Sequence, residues 1–223
     1  MRKNYKYLSY ILLLFLIIGG CDVDFGGTDD DDGGGGGGST DETIRGTITE
    51  IIPIRENDLS GIKVSVMEDN SLSTFTDTTT SSGTFFIEGN FASNNTRLEF
   101  LDDDNGDELL GQTSINIFPE AEVNLGNITL ENGTVDFDEN DVTVSFEADL
   151  IEINCTDNSG SLTVESEGND PIEIIIQVSN STIITRDNDD IDCNVLLIGQ
   201  TLDINGNLLG FGNNVDADTI DVL

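Results

Sequence analysis

Val142-Thr143-Val144-Ser145-Phe146-Glu147-Ala148-Asp149-Leu150 is the stretch that decides the fold. Apolar side chains occupy the even positions and polar ones the odd positions, a period of two that is typical of a β-strand with one buried face. The apolar positions then switch to odd numbers at Ile151 and Ile153. A bend or bulge at Leu150-Ile151 accounts for the switch and lets one long strand serve two edges of a barrel.

The same alternation runs through the residues before this strand. Segments around Ile44, Val64, Phe85, Leu98 and Ile115 are separated by turns rich in Gly, Asn, Asp and Ser. Counting them predicts about seven strands between residues 43 and 131. No long amphipathic helix interrupts the pattern, which therefore predicts a small antiparallel β-sandwich.

One of these segments changes parity along its length. Val123 and Leu125 are on one face, whereas Ile128 and Leu130 are on the other. An extra residue at Gly126-Asn127 reconciles the two halves, so the sequence predicts a β-bulge there.

Further strands are predicted after the long one. The triplet Ile174-Ile175-Ile176 is apolar on both faces, so its strand should be central or covered. The predicted ranges are 162 to 164, 172 to 178, 195 to 204 and 215 to 222.

Three segments of the first set of strands have a recognisable pattern: Ile44-Arg45-Gly46-Thr47-Ile48-Thr49, Leu59-Ser60-Gly61-Ile62-Lys63-Val64-Ser65-Val66 and Thr79-Thr80-Ser81-Ser82-Gly83-Thr84-Phe85-Phe86-Ile87. With these segments, residues 43 to 132 resemble a carboxypeptidase regulatory-like domain. This resemblance implies a prealbumin-like, immunoglobulin-like sandwich that acts as a non-catalytic stalk or recognition unit. Gly61 should make the turn into the second strand, and Gly83 the tight turn that delivers Phe85 to the core.

Three segments of the second set also have a recognisable pattern: Ser179-Asn180-Ser181-Thr182-Ile183-Ile184, Leu197-Ile198-Gly199-Gln200-Thr201-Leu202-Asp203-Ile204-Asn205-Gly206 and Val215-Asp216-Ala217-Asp218-Thr219-Ile220. With these segments, residues 133 to 223 are similar to the OB-like small barrel of a cell-envelope family of unknown function. OB barrels bind nucleic acids or sugars. Because Arg186 is the only basic residue in this half, a basic groove for nucleic acid is excluded.

The first 20 residues predict a bacterial lipoprotein signal peptide. Arg2, Lys3 and Lys6 precede an apolar run from 8 to 18, shorter than the about 20 residues that cross a bilayer. Ile18-Gly19-Gly20-Cys21 resembles a lipobox, which implies cleavage before Cys21 and lipidation of that cysteine, including an acyl chain such as palmitate. The chain is then anchored to a membrane of the bacterial cell envelope, on its periplasmic face or at the cell surface. An ordinary cleaved signal or an uncleaved anchor is the alternative.

Residues 21 to 42 predict a disordered tether. Four aspartates, Asp29 to Asp32, are followed by six glycines, Gly33 to Gly38, and none of these can form a core. A flexible chain of this length spans roughly 25 Å. The segment should therefore hold the domains clear of the membrane.

The charge and the missing histidines exclude several function classes. The chain has 44 acidic and 8 basic residues and a net charge of −36, which becomes −39 when Arg2, Lys3 and Lys6 are removed with the signal. Such a surface repels phosphate backbones. With no His, the usual zinc sites and Ser-His or Cys-His pairs are ruled out. The sequence therefore predicts that the protein is not an enzyme.

Cys155 and Cys193 remain as a pair in an exported chain, where disulfides persist. We predict a bond between them; two buried thiols acting as small hydrophobes are the alternative.

Two acidic segments are weak calcium candidates, through Asp102, Asp104 and Asp107 in one and Asp187 and Asp189 in the other. The first fits an EF-hand poorly, because Leu101 falls where the loop needs its first Asp. A solvated hairpin turn is favoured for the first segment, and an exposed loop with a short helical turn for the second. No other cofactor is predicted.

Together these features predict a lipid-anchored envelope protein that acts as a non-catalytic binding or structural module. Its partner would be an envelope protein or a glycan. A calcium-dependent adhesion or glycan-binding lipoprotein is the alternative, and a carboxylate-based hydrolase is a weaker one.

Overall fold

In the part of the chain that the structure describes, the period-two segments form fifteen strands, which confirms the all-β prediction of a sandwich followed by a small barrel. The computed structural model describes residues 42–52, 59–68, 71–91, 93–138, 141–156, 159–166, 171–210 and 212–223. All of them belong to one compact unit, Gly38–Leu223. The predicted signal peptide, and the tether apart from Glu42, lie outside these ranges.

Eight strands form the first half of this unit. They are β1 (Glu42–Ile52), β2 (Ile62–Glu68), β3 (Ser71–Thr78), β4 (Thr84–Gly89), β5 (Ser93–Asp102), β6 (Glu108–Ile117), β7 (Glu122–Glu131) and β8 (Gly133–Phe137). The first seven lie between residues 42 and 131, which confirms the predicted number.

Seven strands form the second half. They are β9 (Thr143–Thr156), β10 (Ser159–Ser166), β11 (Glu173–Val178), β12 (Ile183–Arg186), β13 (Asp189–Asp190), β14 (Thr201–Leu208) and β15 (Asn214–Val222). No helix in the described ranges is long and apolar enough to cross a membrane.

In the first half the strands pair in the order β3-β2-β5-β6-β8-β7-β1-β4. Phe85 of β4 and Phe100 of β5 come from opposite halves of this order, yet their rings meet edge-on with centroids 6.0 Å apart. The sheet is therefore folded over into two layers with their buried faces together.

Gly83 turns the chain into β4, as predicted. Its φ of +78° lies in the left-handed region, and a Cβ there would lie 2.1 Å from the Ile48 carbonyl oxygen. The Ile48 N–H also donates a 2.9 Å hydrogen bond to the Gly83 carbonyl, so the backbones of these two residues are held in contact. Phe85, two residues on, is buried. Gly61, with φ +75°, likewise directly precedes β2.

Both predicted bulges are present. Along β1 and β7 the pairing moves from Arg45↔Asn124 to Thr47↔Asn127, so β7 has one extra residue beside Gly126. Along β9 and β10 the pairing moves from Thr163↔Glu152 to Val164↔Leu150, which leaves Ile151 unpaired. The parity changes read from the sequence therefore mark real register shifts.

The second half closes into a barrel in the order β9-β10-β11-β15-β14-β9. All pairs are antiparallel except β11 with β15, which run parallel. β12 and β13 extend the sheet beyond the C-terminal part of β15. As predicted, β9 serves two edges of the barrel, because its first part pairs with β14 and its later part with β10.

The two halves share hydrogen bonds and core. Glu122 to Asn124 of β7 pair antiparallel with Thr143 to Ser145 of β9. Phe118 and Phe146 bring their rings to 5.1 Å across the same region. β8 follows the boundary predicted at residue 132, yet it pairs with β6 and β7. The division into domains 43–132 and 133–223 stays a prediction.

Glu42, the last residue of the tether predicted for 21 to 42, belongs to the folded part. Glu42 begins β1 and is buried, with 2% of its surface exposed. Its carboxylate accepts hydrogen bonds from the N–H groups of Phe91, at 2.7 Å, and Glu120, at 3.3 Å. These two bonds compensate for the removal of a charged group from water.

One of two local predictions needs correction. The strand predicted for 195 to 204 begins at Thr201, because a 3-10 turn (Cys193–Val195) and a further turn precede it. The strand that contains Ile174-Ile175-Ile176 is central, as predicted, because β11 has a neighbour on each edge, and 41% of the Ile175 surface is exposed.

Candidate functional site

The disulfide prediction is confirmed. Cys155 lies near the end of β9 and Cys193 begins the 3-10 turn before β14, with their Cα atoms 6.1 Å apart. The bond closes a segment of 38 residues that includes β10 to β13. It therefore joins the first barrel strand to the segment that leads into β14.

The first acidic segment is a hairpin turn, the interpretation that the sequence favoured. β5 ends at Asp102, a 3-10 turn covers Asp103–Asn105, and β6 begins at Glu108. Asp104 and Asp107 are exposed, and Asp107 lies 3.7 Å from the Lys63 ammonium group. One of the three calcium candidates thus already has a cationic neighbour.

The second acidic segment is the tight turn between β12 and β13, not a helical turn. Asp187 and Asn188 both have positive φ, and Asp189 begins β13. The helical turn appears later, at Cys193–Val195.

Within the described ranges, no three or more His, Cys, Asp or Glu side chains are gathered as a metal site would need. Calcium binding at Asp102, Asp104, Asp107, Asp187 and Asp189 stays a prediction. Cys21, the predicted lipidation site, lies outside the described residues.

A polar cleft lies where the two halves of the sheet join, and we call it the junction cleft. It has a volume of about 280 Å³. Its walls are side chains from strands β1, β7, β9, β14 and β15. Both halves of the molecule therefore contribute to it.

Strand register explains why these side chains meet. Arg45 of β1 is opposite Asn124 of β7, which is opposite Thr143 of β9. One row over, Glu122 is opposite Ser145, which is opposite Asn205 of β14. Each row runs straight across three strands on the outer face, because alternate positions of these strands carry the core.

A bulge adds a carboxylate to the cleft. Between β14 and β15 the pairing moves from Asn205↔Thr219 to Gly206↔Ala217, so Asp218 is the extra residue. Asp218 is exposed and lines the junction cleft. Bulges commonly redirect a side chain toward a binding site.

Arg45 has no ion-pair or hydrogen-bond partner among the described residues. The other cations described do have partners: Lys63 is near Asp107, Arg97 binds Glu99, and Arg186 donates to Gln200. In a chain so rich in acids, an unpaired guanidinium in a cleft is a hydrogen-bond donor available to a ligand.

A second row of acids crosses the barrel beside the cleft. Glu147, Asp203 and Asp221 are opposite one another on β9, β14 and β15. Burial, and then the neighbouring Asp221 carboxylate, raise the pKa of Asp203 above its ordinary value. Asp221 accepts a hydrogen bond from the Thr185 hydroxyl. Repulsion between the like charges in this row lowers the stability of the folded protein at neutral pH.

A second cavity, of about 210 Å³, lies at the edge formed by β12 and β13. Ile183, Ile184 and Ile191 line it together with Asp190 and Asp192. Asn180 and Thr182 complete its lining, which contains no cation and so lacks the charged donor of the junction cleft.

Comparison with protein-family models, with curated proteins and with solved structures finds no match to this chain.

The sequence did not single out the residues of the junction cleft. Arg45, Asn124, Thr143 and Asn205 read as ordinary polar positions on the solvent face of strands. The one feature of the sequence that could have indicated them is the type of residue: side-chain amides and hydroxyls recur at outward-facing positions on both sides of the predicted domain boundary. Their convergence depends on the pairing of β7 with β9, which alternation alone does not specify.

Proposed function

We propose that this chain is a lipid-anchored, non-catalytic binding module of the bacterial cell envelope. Cys21 carries the lipid, residues 22 to 41 act as the tether, and the β-unit that begins at Glu42 presents the binding surface. Its first half belongs with carboxypeptidase regulatory-like sandwiches, and its second half with OB-like envelope domains.

The observation that carries the proposal is the bond between Cys155 and Cys193. Disulfides persist in oxidising compartments outside the cytosol. This feature of the folded part agrees with the signal-like first 20 residues, and the two come from independent regions of the chain.

The strand order of the second half gives further support. A five-stranded barrel in which the first strand pairs with the second and fourth is the arrangement of OB folds, which bind oligosaccharides or oligonucleotides. The formal net charge of −36 disfavours the oligonucleotide. A module presented at the envelope for a protein or glycan partner fits both features.

A Cys21→Ser variant tests the anchor. The full chain is expressed in a bacterial host that processes lipoproteins, and membrane and soluble fractions are separated. Wild-type protein is expected in the membrane fraction and to incorporate radiolabelled palmitate. The variant is expected either as a soluble protein or as an unprocessed precursor without label, because the acyl chains supply the membrane affinity.

Gly20→Ala is the matched control, because it keeps a small residue before the cysteine. It should fractionate and label as wild type does. Maturation and membrane fractionation of Cys21→Ser indistinguishable from wild type would refute the anchor.

A further inference from the structure

We propose that the junction cleft binds a neutral, hydroxyl-rich glycan. This inference rests on the proposed function and deepens it by naming the ligand class and the site. The residues that would contact the sugar are Arg45, Glu122, Asn124, Ser145, Asn205 and Asp218.

The cleft offers hydrogen-bond donors and acceptors side by side. Arg45 and the amides of Asn124 and Asn205 donate, whereas the carboxylates of Glu122 and Asp218 accept. Each hydroxyl of a sugar both donates and accepts, so a vicinal diol satisfies a neighbouring donor and acceptor at once. Such a mixed set suits a polyol better than a ligand that only accepts, such as a phosphate.

Several of these groups are available to a ligand. Among the described residues, the side chains of Arg45, Glu122 and Ser145 have no hydrogen-bond partner. The Asn124 side-chain oxygen accepts from the Gly126 N–H at 3.1 Å, which fixes the amide and leaves its NH₂ group as a donor. Part of the site is therefore oriented before binding, which lowers the entropy lost on association.

The balance of charge selects a neutral ligand. Arg45 is the only cation in the cleft lining, and Glu122 and Asp218 outnumber it. The whole chain adds a net charge of −36. This negative charge would repel an acidic polysaccharide or a nucleic acid, whereas it would not repel a neutral glycan.

An exposed aromatic ring lies next to the cleft. Phe86 of β4 is directly opposite Arg45 of β1, and 51% of its surface is exposed. Its position is held by a 2.7 Å bond from its own N–H to the Asp77 carboxylate. An exposed phenyl face beside polar groups suits the apolar face of a pyranose ring.

The position of Phe86 relative to the cleft indicates a chain rather than a single free sugar. The cleft volume of 280 Å³ is just below the range of ligand clefts, which starts at about 300 Å³. Phe86 lies outside the cleft lining. A ligand that occupies both the cleft and the phenyl face must therefore extend over more than one ring.

The test uses the full mature protein purified in detergent and isothermal titration calorimetry. The probes are cellohexaose, maltohexaose, laminarihexaose and mannohexaose, with hexagalacturonate as the acidic comparison. We expect saturable binding of at least one neutral probe with a Kd of about 1 mM or tighter, and weaker or no binding of hexagalacturonate.

Variants then locate the site. Arg45→Met and Asn205→Ala should each weaken that binding about tenfold, because each removes hydrogen bonds to the ligand. Arg97→Met is the matched control: Arg97 lies on β5, outside the cleft lining, and should leave the affinity unchanged. Circular dichroism melting of each variant separates loss of contact from loss of fold.

The result that overturns the proposal is no saturable binding of any neutral probe, or affinity unchanged in both cleft variants. Tighter binding of hexagalacturonate than of every neutral probe would overturn the ligand class. These outcomes can be distinguished from failure of the anchor. If the protein labels with palmitate but binds no probe, the lipid anchor stands and only glycan binding at the junction cleft is refuted.

Discussion

The two halves of the described unit close their sheets in different ways. In the barrel, every neighbouring pair from β9 round to β14 is joined by backbone hydrogen bonds. In the sandwich, β3 and β4 are the outer strands, and a side chain bridges them: Asp77 of β3 accepts from the Phe86 N–H of β4. The barrel therefore closes through backbone hydrogen bonds between neighbouring strands. The sandwich closes through packing of its two layers and a hydrogen bond from a backbone N–H to a side chain.

The two halves also differ in the side chains that form their cores. The sandwich buries four phenylalanines, Phe85, Phe91, Phe100 and Phe118. In the described part of the barrel there is one phenylalanine, Phe146, and it is buried. The four rings add large buried side chains to an otherwise aliphatic core in the sandwich. The barrel has mainly aliphatic side chains, and it has the disulfide. Each half should therefore be most sensitive to a different change.

The largest expected effect is on the sandwich. Phe100 is fully buried and meets Phe85 edge-on, so Phe100→Ala removes a ring and leaves a cavity. We expect a loss of about 3–5 kcal/mol in the free energy of unfolding. Urea denaturation followed by far-UV circular dichroism measures it, since the chain has no Trp and its tyrosines lie in the first ten residues. Phe86→Ala, at an exposed ring, is the control; equal losses would contradict two packed layers.

Removing the disulfide should have the next largest effect, and it should act on the barrel. In the chain-entropy model, closing a loop of 38 residues stabilises by about 3–4 kcal/mol. The double variant Cys155→Ser with Cys193→Ser should lose that amount, and reductant should lower the melting temperature of wild type but not of the variant. A wild-type melting temperature indifferent to reductant would contradict the role given to the bond.

A pair of glycines tests how closely the sandwich backbone packs. Gly83 and Gly133 both have positive φ, so alanine costs about 1–2 kcal/mol of strain at either position. A Cβ at residue 83 would also meet the Ile48 carbonyl oxygen at 2.1 Å, whereas one at residue 133 has nothing within 4 Å. Gly83→Ala should therefore destabilise more than Gly133→Ala in the same urea titration. The reverse order would argue against the turn geometry.

The smallest expected effect is electrostatic and concerns the barrel. A carboxyl whose pKa is raised on folding stabilises the protein below its ordinary pKa of 3.8, and this contribution is lost as the pH rises through the folded value. Asp203→Asn should therefore raise the unfolding free energy at neutral pH, by about 0.2–1 kcal/mol for one cross-strand pair. Its advantage over wild type should shrink on acidification. Asp216→Asn, opposite Asn207 instead of an acid, is the control, and an equal gain there would contradict the pairing.

Much of this fold was predictable from alternation. The long strand at 142–150, the bulge beside Gly126 and the bulge at Ile151 all follow from parity, because burial of one face leaves a period of two in the sequence. Gly83 was predictable for a related reason, since only glycine tolerates both its φ and its close contact.

Other features were not predictable, for identifiable reasons. Leu197 and Ile198 extend an apolar run, so the strand at 201 was predicted to begin early, yet both side chains are exposed in a turn. The exposure of Ile175 was not predictable, because hydropathy does not reveal which face of a central strand lacks a covering layer. The junction cleft depends on which strands become neighbours across the boundary, a long-range choice that single strands do not encode.

The most direct test of the central claim is a peptide mass spectrum of the protein isolated from bacterial membranes without reductant. The account predicts an N-terminal peptide that begins at Cys21 and carries a diacylglyceryl group and an acyl chain. It also predicts a cross-linked peptide that joins Cys155 to Cys193. A peptide that continues from Met1 through an unmodified Cys21, together with free thiols at 155 and 193, would contradict an exported, lipid-anchored module.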